Sequence, residues 1–310
     1  MNIYGPVLSR RLGYSLGIDL FKDKACTQNC IYCQLGSGKT LPPIRKRFVD
    51  PEIIENELQK RLDELERVDY ITFAGSGEPT LSVDLGRIIT FIRNNYPDKK
   101  IAVITNSTML FDATVREEIK SVDLVVPSLD AASEEIFQKI NRPVEGLTFN
   151  QLVEGLIEFR KIYKGHFRLE VMLLNKINDT DEELIKMRAL IEKIKPDEID
   201  INTPIRPPAE EWVHLPIQEK INRAKEILGG KSISKHDKSS APVNSKDDLL
   251  ASNIVEFLKR RPEQMENITA ALNVEHSEVE NILLELLTDG TVYKKMINGL
   301  PYYLVHEKNN

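Results

Sequence analysis

The chain has 310 residues, 41% of them hydrophobic, and a formal net charge of −6. That length makes one large or two small domains with a sizeable core, and the acidic balance gives no global attraction to nucleic acid or to an anionic membrane. No apolar run approaches the ~18 residues of a membrane span; Met1 leads into Asn-Ile-Tyr-Gly-Pro without a charged-then-apolar leader, so a cytoplasmic protein with no membrane contact is expected.

The first strand is predicted at 15–20, ahead of the chain's three cysteines. Cys26, Cys30 and Cys33 form a C-x3-C-x2-C run within eight residues. An odd count in one cluster excludes an internal disulfide framework. Three close thiolates can hold three irons of a [4Fe–4S] cluster and leave the fourth iron open to another ligand. The alternative is zinc completed by one of five histidines, although structural zinc usually takes a second, distant cysteine pair.

A helix over 51–67 comes next, with Pro51 at its first turn. The strand 70–74 then runs into Ala74-Gly75-Ser76-Gly77-Glu78-Pro79-Thr80. Small residues there let the backbone approach a ligand closely, and a carboxylate or carbonyl can accept from an ammonium group. After a helix at 85–95, the strand 101–105 ends in Thr105-Asn106-Ser107. After a helix at 113–120, the strand 124–127 ends in Pro127-Ser128-Leu129-Asp130. Asn106, Ser128 and Asp130 are read either as ligand contacts or as helix caps. Helices at 134–140 and 149–163, a strand at 168–174, a helix at 181–194, a strand at 199–202 and a helix at 217–228 complete the pattern. Glu170 and Asn175 are further candidates, while Lys176 and Asn178 read equally as surface loop. Pro204, Pro207 and Pro208 impose an extended path that holds Asn202, Thr203 and Arg206 at the strand end. Arg206 could clamp a carboxylate or phosphate. Arg10 and Arg11, among glycines ahead of the cysteines, could neutralise a cluster or bind substrate.

Such alternation predicts an α/β fold with a parallel sheet, a partial (β/α)6-type barrel over residues 1–228, with ligands at the carboxyl ends of the strands. Residues 229–247 are Ser- and Lys-rich and read as a linker or mobile loop. Residues 248–310 read as a small C-terminal winged-helix domain: helices at 249–259, 265–272 and 277–287, then strands at 291–296 and 302–305 joined through Asn298-Gly299. Its third helix carries Glu278, Glu280 and Glu285 with no Lys or Arg. No DNA binding is expected of such a face. Lys259-Arg260-Arg261 and Lys294-Lys295 remain as local phosphate contacts, and protein docking or packing against the barrel is favoured.

The segment from Cys26 through Ile31-Tyr32 to Cys33 resembles the radical S-adenosylmethionine (SAM) superfamily, whose hallmark is C-x3-C-x-aromatic-C. The resemblance implies that the open iron takes the amino and carboxylate groups of SAM. One electron then cleaves SAM, and the 5′-deoxyadenosyl radical takes hydrogen from a substrate. It also implies that Tyr32 lies near the adenine and that Gly75, Ser76, Gly77 and Glu78 form the element gripping the SAM amino group. Ser128 and Asp130 then match positions contacting its ribose and carboxylate. The run from Tyr4 to Asp19, Asn141-Arg142-Pro143 and the segment from Asn202 to Pro208 together look like the Fe–S oxidoreductase branch grouped with wyosine-type tRNA synthases. The second cysteine triad of the true wyosine synthases is missing. The resemblance thus implies a radical SAM enzyme served by a flavodoxin- or ferredoxin-type reductant. Its substrate is expected to be macromolecular, protein or peptide favoured over tRNA. A non-catalytic, redox-sensing Fe–S or zinc winged-helix regulator is the competing expectation.

Overall fold

A computed structural model describes residues 2–9, 11–65, 67–232, 247–260, 262–272, 274–297 and 299–306. β1 (Ile3–Ser9) pairs antiparallel with β2 (Gly13–Ile18). From β2 onward the sheet is parallel and laid down in chain order: β3 (Tyr70–Phe73), β4 (Lys100–Thr105), β5 (Leu124–Pro127), β6 (His166–Met172), β7 (Glu198–Asn202) and the two-residue β8 (Lys231–Ser232). The return paths are α1 (Pro51–Glu64), α2 (Leu85–Asn95), α3 (Ala113–Ile119), α4 (Glu134–Asn141), α5 (Phe149–Ile162), α6 (Asp181–Ile194) and α7 (Gln218–Leu228). Neighbouring parallel strands joined by helical crossovers make the expected partial barrel.

Local chemistry sets these boundaries. Asp50, Asp112, Ser133, Thr148 and Thr180 each cap a helix by accepting from a backbone N–H of its first turn, each cap contributing about 1 kcal/mol. All four residues of β5 are buried, as a strand covered on both faces requires.

β1 and β8 depart from expectation. No element is predicted over β1, which contains Gly5 and Pro6; the strand tolerates Pro6 because it lies at the sheet edge. β8 falls in the stretch expected to be a linker, where pairing with Asp200 and Ile201 of β7 overrides composition. The remainder of that stretch, 233–246, lies outside the described residues, as do Arg10, Arg261 and Asn298.

The C-terminal module comprises α8 (Asp247–Arg260), α9 (Met265–Leu272), α10 (His276–Thr288) and the antiparallel pair β9 (Val292–Ile297) and β10 (Leu300–Val305). Leu250, Ile254, Phe257, Ile268, Leu283 and Tyr303 form its core, and Val7 of β1 completes that core from the barrel side. The module therefore covers the β1 edge of the sheet. Ile254, fully buried, anchors it. Ile254→Ala is expected to destabilise the module by about 2–5 kcal/mol and expose it to limited proteolysis, read as faster cleavage than in the unaltered protein.

Candidate active site

The strands' carboxyl ends open on a cavity of about 400 Å³ lined by Cys26, Cys30 and Cys33, the 75–78 turn, Asn106, Ser128 and Asn202. The cysteine loop leaves β2 and is fixed by backbone bonds to three neighbours. Ala25 N–H donates to Ser76 O (3.0 Å) and Ala25 O accepts from Glu78 N–H (2.9 Å). Leu41 N–H donates to Cys26 O (2.8 Å), and the N–H groups of Asn29 and Ile31 donate to Asn141 O (3.0 Å) and Ile140 O (2.9 Å). The thiols are thus placed by the scaffold.

Amide side chains face two of the sulfurs: Asn106 Nδ2 lies 3.3 Å from Cys26 Sγ and Asn141 Nδ2 lies 3.5 Å from Cys30 Sγ. Burial, and next the Glu78 carboxylate, pushes the Cys26 thiol up to about 12. Burial, and next the charge of Cys26, pushes Cys30 up as well. Bound cations reverse such a penalty, because the thiolate is the ligating form. Among the described residues no three His, Cys, Asp or Glu side chains converge to hold one metal ion. Three thiols lining one cavity, two of them with an amide donor beside the sulfur, are a donor set that fits a multi-iron cluster.

The 75–78 turn owes its glycines to close approach. A Cβ on Gly77 would lie 2.0 Å from Ala25 O, and one on Gly75, whose φ is +137°, would lie 2.5 Å from Asp19 Cγ. Ser76 Oγ donates to Asp19 Oδ2 (2.7 Å). Glu78 is buried and points into the protein. Its Oε1 accepts from Thr80 N–H (3.1 Å), Thr80 Oγ1 (2.6 Å) and Thr105 Oγ1 (2.7 Å), and its Oε2 from Asn106 N–H (2.6 Å). Glu78 therefore fastens the ends of β3 and β4 together.

Asp130 plays a similar part. It is 4% exposed and accepts from Tyr32 OH (2.5 Å), Asn141 Nδ2 (2.8 Å) and Met172 N–H (2.9 Å). Tyr32 itself lines the cavity. Arg11 enters the cavity in an ion pair with Glu170 and lies 3.4 Å from Asp200 Oδ2. Asn178 is fully buried and donates to the carbonyls of Asp130 and Met172, both at 2.8 Å, so it braces a loop and is not surface.

The C-terminal module changes two readings. Arg206 lines the cavity, but its Nε donates to the buried Glu263 of the module (2.7 Å). Arg260, read as a phosphate contact, is buried, with its Cζ over the Tyr4 ring, 4.5 Å from the centroid, and its Nε 3.3 Å from Asp19 Oδ2. Phe257 and Arg260 both line the cavity, so the module forms part of its wall. Asp19 and Asn141 entered the sequence reading only inside family-resembling runs, and Arg260 only as a phosphate contact; none of the three was read as a residue of this site.

The sequence description of the Radical SAM superfamily matches residues 24–188, 165 of the 310 residues. The chain belongs to the radical SAM superfamily. It is 34% identical to a UPF0026 protein of Methanocaldococcus jannaschii, over 99% of this chain and 96% of that one. It is 37% identical to a Brachyspira hyodysenteriae protein named GTPase Obg, over 98% of this chain but 45% of that longer protein, so that name carries no activity to this chain. The structure of a radical SAM methyltransferase from Sphaerobacter thermophilus superposes with a TM-score of 0.54 at 16% identity, covering 73% of this chain and 67% of that one. At that identity the radical SAM fold is what the two share. Among the described residues no helix is long and apolar enough to cross a membrane.

Proposed function

We propose that this radical SAM protein is an enzyme that cleaves SAM reductively and abstracts hydrogen from a substrate. The observation that carries the proposal is the direct bonding of the cysteine loop to the 75–78 turn through Ala25, Ser76 and Glu78, with both opening on one cavity. Cys26, Cys30 and Cys33 would hold three irons of a [4Fe–4S] cluster. That cluster, with SAM, supplies the one-electron cleavage that yields a 5′-deoxyadenosyl radical. The protein's own residues bind, orient and shield. Tyr32, fixed by Asp130, offers a ring to the adenine. The 75–78 turn, Asn106, Ser128 and Asn202 offer polar groups to the methionine and ribose parts. Phe257, contributed by the module, gives the cavity an apolar wall beside the proposed cofactor site.

The cavity of about 400 Å³ is of a size for a cofactor-sized ligand. The enzyme's substrate would be macromolecular, protein or peptide favoured over tRNA. A flavodoxin- or ferredoxin-type protein would supply the electron. The test is anaerobic reconstitution with iron and sulfide, reduction with dithionite in the presence of SAM, and assay of 5′-deoxyadenosine. The expected result is four irons per chain and 5′-deoxyadenosine that disappears in Cys30→Ala. Four irons with intact SAM, or zinc as the sole metal retained, would sink the proposal.

A further inference from the structure

We propose that Arg260, contributed by the C-terminal module, is a positioning residue of the SAM site, acting through Asp19 on the Gly75-Ser76 turn. The inference rests on the SAM-binding function proposed above and adds to it a part for the second module.

The contacts form a continuous chain. Arg260 ends α8 and is 8% exposed. Its Nη1 donates to Glu256 O (2.7 Å) and to Glu256 Oε2 (3.1 Å), which fixes the guanidinium to its own helix. Its Cζ lies over the Tyr4 ring, 4.5 Å from the centroid. Tyr4 in turn lies against Gly17, where an added Cβ would meet the ring at 2.1 Å. A flat cation held on an aromatic face and by its own helix has little rotamer freedom left. Its Nε is delivered 3.3 Å from Asp19 Oδ2.

Asp19 is 1% exposed, and Arg260 is the cation within ion-pair distance of it among the described residues. Burying a carboxylate without a partner is costly. Burial pushes this carboxyl up, and Ser76 and then Arg260 act against that rise. The charged carboxylate in turn shapes the turn above it. Asp19 Oδ2 accepts from both Ser76 N–H (3.1 Å) and Ser76 Oγ (2.7 Å), and Asp19 Oδ1 accepts from Phe21 N–H (3.2 Å). Ser76 O then accepts from Ala25 N–H, one residue before Cys26. A second strand of coupling runs from Gln34 Nε2, beside Cys33, to Arg260 O at 3.4 Å. The module thus touches both halves of the cofactor site, the SAM turn and the cysteine loop.

The test uses the full chain with Arg260→Gln and Arg260→Lys. In metal-free protein, hydrogen exchange at the Ser76 amide is expected to quicken about tenfold in R260Q, the equivalent of one weakened charge-assisted bond, and about two- to threefold in R260K. In reconstituted protein, R260Q is expected to bind SAM about tenfold more weakly by equilibrium dialysis with iron content unchanged, and R260K to recover most of that loss. Unaltered Ser76 exchange and SAM affinity in R260Q overturn the proposal. So does equal loss in both variants accompanied by a lowered melting temperature, which marks a merely structural residue. If the unsubstituted protein binds no SAM, the proposed function falls and this proposal with it. If it binds SAM and R260Q binds equally well, only this proposal falls.

Discussion

Replacing Gly77 by alanine is expected to weaken SAM binding by more than about a hundredfold and to reduce iron retention in the reconstituted protein. The added Cβ would sit 2.0 Å from Ala25 O, 2.9 Å from Ala25 C and 2.9 Å from a ring carbon of Phe21. Two of these are backbone atoms that cannot rotate away. The Ala25–Gly77 bridge must open, and with it the bond from Glu78 N–H to Ala25 O. Overpacking costs about 1–3 kcal/mol, and the broken buried bonds a similar amount each. The displacement arises one residue from Cys26, so it reaches the thiols directly. Gly38→Ala is the control on the same loop. Its Cβ would meet only the flexible end of Lys24, at 3.1 Å or more, and iron content and SAM affinity should stay at the unsubstituted values. Iron assay and equilibrium dialysis on both variants give the comparison; a Gly77→Ala protein with full iron and undiminished SAM affinity would show that the two loops are not coupled as their bonding implies.

The parts of the fold that were legible in the sequence are those set by local chemistry. α6 begins at its Thr180 cap and three acids and keeps its apolar period to the end, so 181–194 could be read in full. β1 could not be read, because Gly5 and Pro6 disfavour a strand until β2 and the module provide partners. The site divides in the same way. The cysteines and the Gly-rich turn are runs of adjacent residues at a strand end, and their chemistry is visible in one dimension. The resemblance implies SAM contacts for Glu78 and Asp130, and the internal bonds each carboxylate makes are not visible in the sequence. Which way a carboxylate turns depends on donors from other strands: Thr105 and Asn106 for Glu78, Asn141 and Met172 for Asp130. Arg206 was legible as a functional cation, but its partner Glu263 comes from the second module. Arg260 and Asp19 are farther apart in sequence, and no pattern in either segment announces the other.

Asp130→Ala is the second substitution expected to have a large effect, and it acts without touching the cavity's polar wall. Alanine removes the shared acceptor of three donors, Tyr32 OH, Asn141 Nδ2 and Met172 N–H. Each orphaned buried donor costs about 1–3 kcal/mol, and because the three share one site their costs combine less than additively. A loss of about 3–5 kcal/mol is expected, near the range for breaking a buried charged network. The functional loss stems from which donors are freed. Tyr32 loses the bond that sets its ring beside the cavity, and Asn141 loses the bond that aims its amide toward Cys30 Sγ. Asp130→Asn retains one oxygen in nearly the same volume but turns an NH₂ toward the remaining donors, so it should fall between the two. Melting temperature, iron content and SAM affinity should each rank Asp130 above Asn and Asn above Ala. If stability keeps that order while iron and SAM binding stay level across all three, Asp130 serves the fold alone and Tyr32 holds its position by packing.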